Sequence, residues 1–94
     1  MVKQSDLVQL GFALRVLAMR KIENKQQLAD WENEAWQLRS EIKRNIFLAN
    51  VLPHQIWHYL DDADIRLKDP RYYKIQQSEI LTIIDMLESG RIPE

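Results

Sequence analysis

Cysteine is absent from this chain, and glycine and proline are scarce. The sequence has no cysteine, two glycines and three prolines among its 94 residues. Without thiols the chain forms no disulfide, thiolate metal site or iron–sulfur cluster, and it offers no cysteine nucleophile. So few glycines and prolines supply too few turns for a β-sandwich, but they suit a helical bundle. With glycine only at positions 11 and 90, a glycine-rich phosphate-binding loop is also excluded.

An excess of charge of either sign is missing as well. The chain carries 13 Lys and Arg against 14 Asp and Glu, for a formal net charge of −1. This balance argues against a strongly basic nucleic-acid surface and against a polybasic membrane anchor. With 46% hydrophobic and 29% charged residues, the composition is that of an ordinary globular protein. The length predicts one helical domain over residues 1–94.

The apolar stretch from Leu7 to Met19 superficially resembles an export signal or a membrane span. Gln9 and Arg15 interrupt it, and Arg20 and Lys21 follow it where a signal peptide has small residues. It is also shorter than the roughly 20 apolar residues that cross a bilayer. We therefore expect a cytoplasmic protein with no membrane partner.

The spacing of the apolar residues predicts an all-α fold. They recur at steps of three and four, which is the period of an α-helix. Breaks at Pro53, Pro70, Gly90 and around Asn24 delimit four helices at about 5–20, 25–50, 53–68 and 70–89. Short connections between these helices favour an antiparallel four-helix bundle.

Residues that cap helices mark the predicted ends. The predicted N-terminal signals are Ser5 or Asp6, Asn24 with Gln27 three residues later, and Asp69 before Pro70. Gly90 is predicted to stop the last helix. Gly11 lies inside the first helix, where glycine costs about 1 kcal/mol relative to alanine. We therefore expect a neighbouring helix to approach the backbone closely at Gly11.

The inward positions of three helices follow from the same spacing. The second helix has a predicted seam at Leu28, Trp31, Ala35, Leu38, Ile42, Ile46 and Ala49. The third has an inward stripe at Ile56, Leu60, Ala63 and Leu67, and the fourth at Tyr72, Ile75, Ile80, Ile83, Ile84, Met86 and Leu87. Asp62 and Arg66 are four residues apart, the spacing of an ion pair on a solvated helix surface.

The first helix is apolar on two sides. Leu7, Leu10, Leu14 and Leu17 form one stripe, and Val8, Phe12, Val16 and Met19 form a second. A helix with two apolar sides either lies deep in a bundle or contributes to an interface. Trp36 and Phe47 lie off the seam of the second helix. We predict that the second stripe, with Trp36 and Phe47, forms an interface with a second copy or with another protein.

The two histidines of the chain form an alternative candidate site. His54 and His58 are four residues apart, which places both imidazoles on one side of a helix, and Asp61 could add an oxygen ligand. This alternative is a metal-binding protein or enzyme. The residue after the first histidine is Gln55, however, where a metalloprotease needs a glutamate as general base. The helical phase favours a solvated surface for all three side chains.

A second alternative is a nucleic-acid-associated regulator. Arg39, Lys43 and Arg44 on the second helix are spaced to contact phosphates, although a basic surface also serves protein association. None of the serines lies in the Gly-x-Ser-x-Gly motif of a nucleophile elbow. We therefore expect a small non-enzymatic protein without a cofactor. Its expected function is protein–protein association as a homodimer, with a regulatory role left open.

Overall fold

The computed structural model describes residues 3–93, which fold into six α-helices without a β-strand. They are α1 (Lys3–Met19), α2 (Lys25–Arg44), α3 (Ile46–Val51), α4 (His54–Asp61), α5 (Ala63–Lys68) and α6 (Pro70–Glu88). The all-α prediction is confirmed. The prediction of four helices is wrong, because the second and third predicted helices are each broken into two.

The long helices α1 and α6 pack against each other in antiparallel directions. The amide of Gln77 donates to the carbonyl of Ala18 at 3.0 Å, while the backbone at Gly11 lies against Glu88 at the other end of α6. A Cβ atom at Gly11 would lie 2.9 Å from Glu88 Cγ and 3.0 Å from the Glu88 backbone nitrogen. The close approach predicted at Gly11 is confirmed.

One hydrophobic core lies between the helices. The predicted α1 stripe of Leu7, Leu10, Leu14 and Leu17 is buried, and α6 faces it with Ile80, Ile83, Ile84 and Leu87. The remaining core residues include Trp31, Ala35, Ile42, Leu48, Ile56, Tyr59, Leu60 and Ala63. Burying a leucine or isoleucine side chain contributes about 1.5–3 kcal/mol, so this cluster supplies most of the driving force for folding.

Three of the predicted helix ends are confirmed. Asn24 accepts a hydrogen bond from the Gln27 backbone nitrogen at 2.8 Å, and Asp69 accepts from the first turn of α6. Gly90 has a φ of 75°, and its nitrogen donates to the Leu87 carbonyl at 2.9 Å. This is a Schellman-type stop, which favours glycine because other residues are strained at positive φ. The predicted start of α1 at Ser5 or Asp6 is wrong, because Lys3 already lies within the helix.

Asn45 divides the second predicted helix into α2 and α3. Its backbone is extended, with φ −101° and ψ 102°, and its Oδ1 atom accepts from the Leu48 nitrogen at 3.2 Å. Its Nδ2 atom donates to Asp6 Oδ2 at 3.2 Å, which ties the break to α1. The predicted inward positions Ile46 and Ala49 are therefore wrong. Both are exposed, and Leu48 takes the core position instead.

Asp62 divides the third predicted helix into α4 and α5, and this break changes which side of α5 faces inward. Leu67, predicted to be buried, is exposed, whereas Arg66, predicted to be solvated, is buried. A similar correction applies at α6, where Ile75 is exposed and the neighbouring Gln76 is buried. Two polar side chains, Arg66 and Gln76, are thus buried in place of their predicted apolar neighbours Leu67 and Ile75.

Candidate functional site

A cavity bordered by the described residues lies beside the buried Arg66. It has a volume of about 690 Å³ and is formed by the end of α1, the connection to α2, and parts of α2, α4, α5 and α6. Its apolar and aromatic walls include Leu17, Ile22, Trp31, Tyr59, Leu67 and Tyr73. Cavities of this size and composition are typical of small-molecule sites.

Arg66 is held in place by two acceptors and two aromatic rings. Arg66 is only 7% exposed. Its Nη1 atom donates to the Tyr59 carbonyl at 2.6 Å and to Gln76 Oε1 at 2.7 Å. Its guanidinium carbon lies 4.0 Å from the centroid of the Tyr59 ring and 5.1 Å from that of Trp31. Both rings stabilise the cation through their π-electron density.

The rings beside Arg66 are themselves fixed. The Trp31 indole nitrogen donates to the Leu17 carbonyl at 2.9 Å, so the ring has a fixed position against α1. Trp31 and Tyr59 meet edge to face, with centroids 5.7 Å apart and an interplanar angle of 71°. Burial raises the pKa of Tyr59 to about 12. The aromatic side of the cavity is therefore rigid and uncharged at neutral pH.

The side-chain amide of Gln76 connects Arg66 to the carboxylate of Asp62. Gln76 Nε2 donates to Asp62 Oδ2 at 3.2 Å, and the Tyr72 hydroxyl donates to the same oxygen at 2.6 Å. Among the described residues no carboxylate forms an ion pair with Arg66. Burial lowers the pKa of Arg66, and the hydrogen bond to Asp62 raises the pKa of Tyr72. An arginine remains charged throughout the ordinary pH range, so the cavity contains a permanent cation.

The predicted metal ligands do not form a three-residue group. His54 and His58 are exposed on α4, and Asp61 Oδ1 accepts a hydrogen bond from Arg39 Nη1 at 2.5 Å. Within residues 3–93, no group of three or more His, Cys, Asp or Glu side chains is placed to hold a metal ion. The predicted set of His54, His58 and Asp61 is therefore not assembled as a three-residue group, and the Asp61 carboxylate pairs with Arg39 of α2.

The three predicted phosphate-binding residues differ in whether the fold already engages their charge. Arg39 pairs with Asp61 and lies between two indoles, 5.9 Å from the Trp36 centroid and 5.8 Å from that of Trp57. Lys43 and Arg44 are exposed on the last turn of α2. Arg39 is thus engaged within the fold, which leaves two of the three predicted basic residues on the open surface.

The predicted interface residues differ in how exposed they are. Phe12, Val16 and Met19 are 56%, 58% and 69% exposed, and they lie on the side of α1 opposite the buried leucines. Val8 on the same side is half-buried. Trp36 is exposed, but it lies beside Arg39 on α2. Phe47 is partly buried against the core, so of the two aromatic residues off the seam of the second predicted helix only Trp36 is exposed.

No family model, no curated protein and no solved structure matches this chain. None of its described helices is long and apolar enough to cross a membrane. The described residues present two candidate sites: the exposed apolar side of α1 and the cavity beside Arg66. The sequence predicted an interface at the first and gave no sign of the second, since an Asp–Arg pair four residues apart ordinarily indicates a helix surface.

Proposed function

We propose that this protein functions by association with a second copy of itself through the outer face of α1. This outer face consists of Val8, Phe12, Val16 and Met19. The observation that carries the proposal is the exposure of Phe12, Val16 and Met19, each of which leaves more than half of its surface in contact with water. The proposal includes no catalytic step.

Exposed apolar side chains in one continuous row favour burial by a partner. Single exposed apolar residues are common on globular proteins, whereas contiguous apolar surface marks a site of interaction. The outer face extends from Val8 to Met19, about 16 Å along the helix at 1.5 Å per residue. Complete burial of a phenylalanine or methionine side chain stabilises a complex by about 1.5–3 kcal/mol. Helix-against-helix packing along this length is a favourable way to bury it.

A second copy suits this face for reasons of symmetry and charge. In a twofold-symmetric dimer the same patch is used by both subunits, so a patch that is apolar throughout is complementary to itself. The net charge of −1 gives little repulsion between copies. At the edge of the face, Arg15 pairs with Glu88 at 2.8 Å and with Asp85 at 3.0 Å. This pairing limits the unbalanced charge that a partner would meet.

Sedimentation velocity of wild-type protein and two matched variants tests the proposal. Phe12→Asp places a charge on the outer face, and Ile75→Asp places the same charge on α6, where Ile75 is 54% exposed. We expect wild type and Ile75→Asp to sediment as dimers at micromolar concentrations, and Phe12→Asp to sediment as a monomer with an unchanged helical circular-dichroism spectrum. A monomeric wild type, or equal behaviour of the two variants, would contradict the proposal.

A further inference from the structure

The guanidinium of Arg66 has one edge that the fold leaves without an acceptor. An arginine has five N–H donors, and the two hydrogen bonds of Arg66 are both made by Nη1. The Nε and Nη2 atoms have no hydrogen-bond acceptor among the described residues. Neither nitrogen is fully buried. Among the described residues, the fully buried side-chain nitrogen without a hydrogen-bond partner is Nε of Arg39, not a nitrogen of Arg66. Arg66 is one of the residues that border the cavity, so a ligand there lies beside its side chain.

This edge has a specific chemical preference. Nε and Nη2 carry parallel N–H bonds, and an arginine uses such a pair to bind both oxygens of a carboxylate. The position of the guanidinium is fixed by Gln76, the Tyr59 carbonyl and the two aromatic rings. A ligand therefore meets a donor pair that is already oriented, which lowers the entropy lost on binding.

The rest of the cavity suits an apolar group attached to the acid. Leu17, Ile22, Trp31 and Leu67 supply apolar wall, and the volume of about 690 Å³ lies within the usual range for small-molecule sites. Of the charged residues along the cavity, Arg20 is paired with Glu34 on α2, whereas Lys21 and Arg66 form no ion pair among the described residues and Glu23 is the single acid. These residues leave a small excess of positive charge beside the cavity, which favours an anion although the protein as a whole is slightly acidic.

We propose that this cavity binds a small organic carboxylate, whose two oxygens accept hydrogen bonds from Nε and Nη2 of Arg66 and whose apolar body packs against Leu17, Trp31 and Leu67. The site overlaps the association surface proposed above only at one residue. Of the outer face of α1 only Met19 borders the cavity, and Phe12 does not. Binding is therefore expected to persist in the Phe12→Asp monomer.

Titration with octanoate, followed by ¹H–¹⁵N NMR, tests the proposal. The Trp31 indole N–H is the local probe, and octylammonium is the matched ligand with the same chain and the opposite charge. We expect octanoate to shift the Trp31 signal with saturation in both wild type and Phe12→Asp, and octylammonium to leave it unchanged. Absence of saturable octanoate binding, or equal binding of octylammonium, overturns the proposal. If Phe12→Asp binds octanoate but wild type fails to dimerise, the association proposal fails and this one stands.

Two exposed aliphatic residues on α5 can be replaced to give matched variants without changing the core. Leu67 is 49% exposed and borders the cavity, whereas Ile65 is 45% exposed and does not. We expect Leu67→Glu to weaken octanoate binding about tenfold, a loss of about 1.4 kcal/mol, and Ile65→Glu to leave it unchanged. Arg66→Lys keeps the charge but loses the paired donors, so it is expected to weaken binding as well. Equal affinities for the two glutamate variants overturn the proposal.

Discussion

The Nη1 atom of Arg66 on α5 donates a hydrogen bond to the Oε1 atom of Gln76 on α6 at 2.7 Å. Both residues are buried, so a neutral amide holds a buried cation. The same amide donates to Asp62, and it thereby connects the cation to its counter-charge. This arrangement fixes α5 against α6, and both hydrogen bonds of Arg66 use Nη1, which leaves Nε and Nη2 without an acceptor among the described residues. The contribution of the Arg66–Gln76 hydrogen bond to stability can be measured by replacing Gln76.

Replacing Gln76 with leucine is expected to lower the free energy of unfolding by about 2–3 kcal/mol, because a buried charged group loses its acceptor. Urea denaturation followed by circular dichroism measures this change. Ser78→Ala on the exposed side of α6 is the control, and its effect should stay within about 0.5 kcal/mol. Equal midpoints for the two variants would show that Arg66 does not depend on Gln76.

Gly11→Ala is expected to destabilise the protein although alanine is the better helix former. Alanine gains about 1 kcal/mol of helix propensity. Its Cβ atom, however, would lie 3.0 Å from the Glu88 backbone nitrogen, and such overpacking costs about 1–3 kcal/mol. We predict a lower Tm for Gly11→Ala and an equal or higher Tm for Gln9→Ala, which is exposed on the same helix. A higher Tm for Gly11→Ala would show that α6 yields at this contact.

Asn45→Ala is expected to lower the free energy of unfolding by about 1 kcal/mol, the usual value of a helix cap. The variant loses the hydrogen bond from the Leu48 nitrogen to Oδ1 and the bond from Nδ2 to Asp6. Chemical denaturation measures the loss. Asn50→Ala, at an exposed asparagine within α3, serves as the matched control and should have a smaller effect. An equal effect would mean that Asn45 does not stabilise the break between α2 and α3.

The buried Tyr59 predicts a loss of stability at high pH. Its ordinary pKa of 10.0 is raised to about 12 by burial. Because the folded state holds this proton more tightly than the unfolded state, the contribution of Tyr59 to stability is complete below pH 10.0 and is lost as the pH rises to about 12. Tyrosinate absorbance should show a late titration step near pH 12 in wild type. The amplitude of this step should fall in Tyr59→Phe, and an unchanged amplitude there would contradict the assignment.

The helical class, three of the helix ends and the close contact at Gly11 could be predicted from the sequence because each depends on local chemistry. Asn24, Asp69 and Gly90 act on backbone groups within a few residues of themselves. The breaks at Asn45 and Asp62 were missed. The apolar spacing continues across both positions, and the Asn45 break is tied to Asp6 on another helix.

The two candidate sites also differ in whether the local sequence could predict them. The outer face of α1 could be predicted, since two apolar stripes on one helix cannot both face the same core. The cavity beside Arg66 could not, because Arg66 faces inward only after the break at Asp62 changes the phase of α5. Its acceptor Gln76 also comes from another helix. The spacing of Asp62 and Arg66 is the same for a surface ion pair and for this buried arrangement.

The most direct test of the association claim is a cysteine scan of the outer face of α1. The wild-type chain has no cysteine, so each of Val8→Cys, Phe12→Cys, Val16→Cys and Met19→Cys carries a single thiol. A disulfide between two copies requires Cα atoms within about 7 Å, which reports face-to-face contact. The account predicts rapid formation of a folded disulfide dimer at a position on this face, and slow formation for Ile75→Cys on α6. Equally slow cross-linking at all five positions would contradict it.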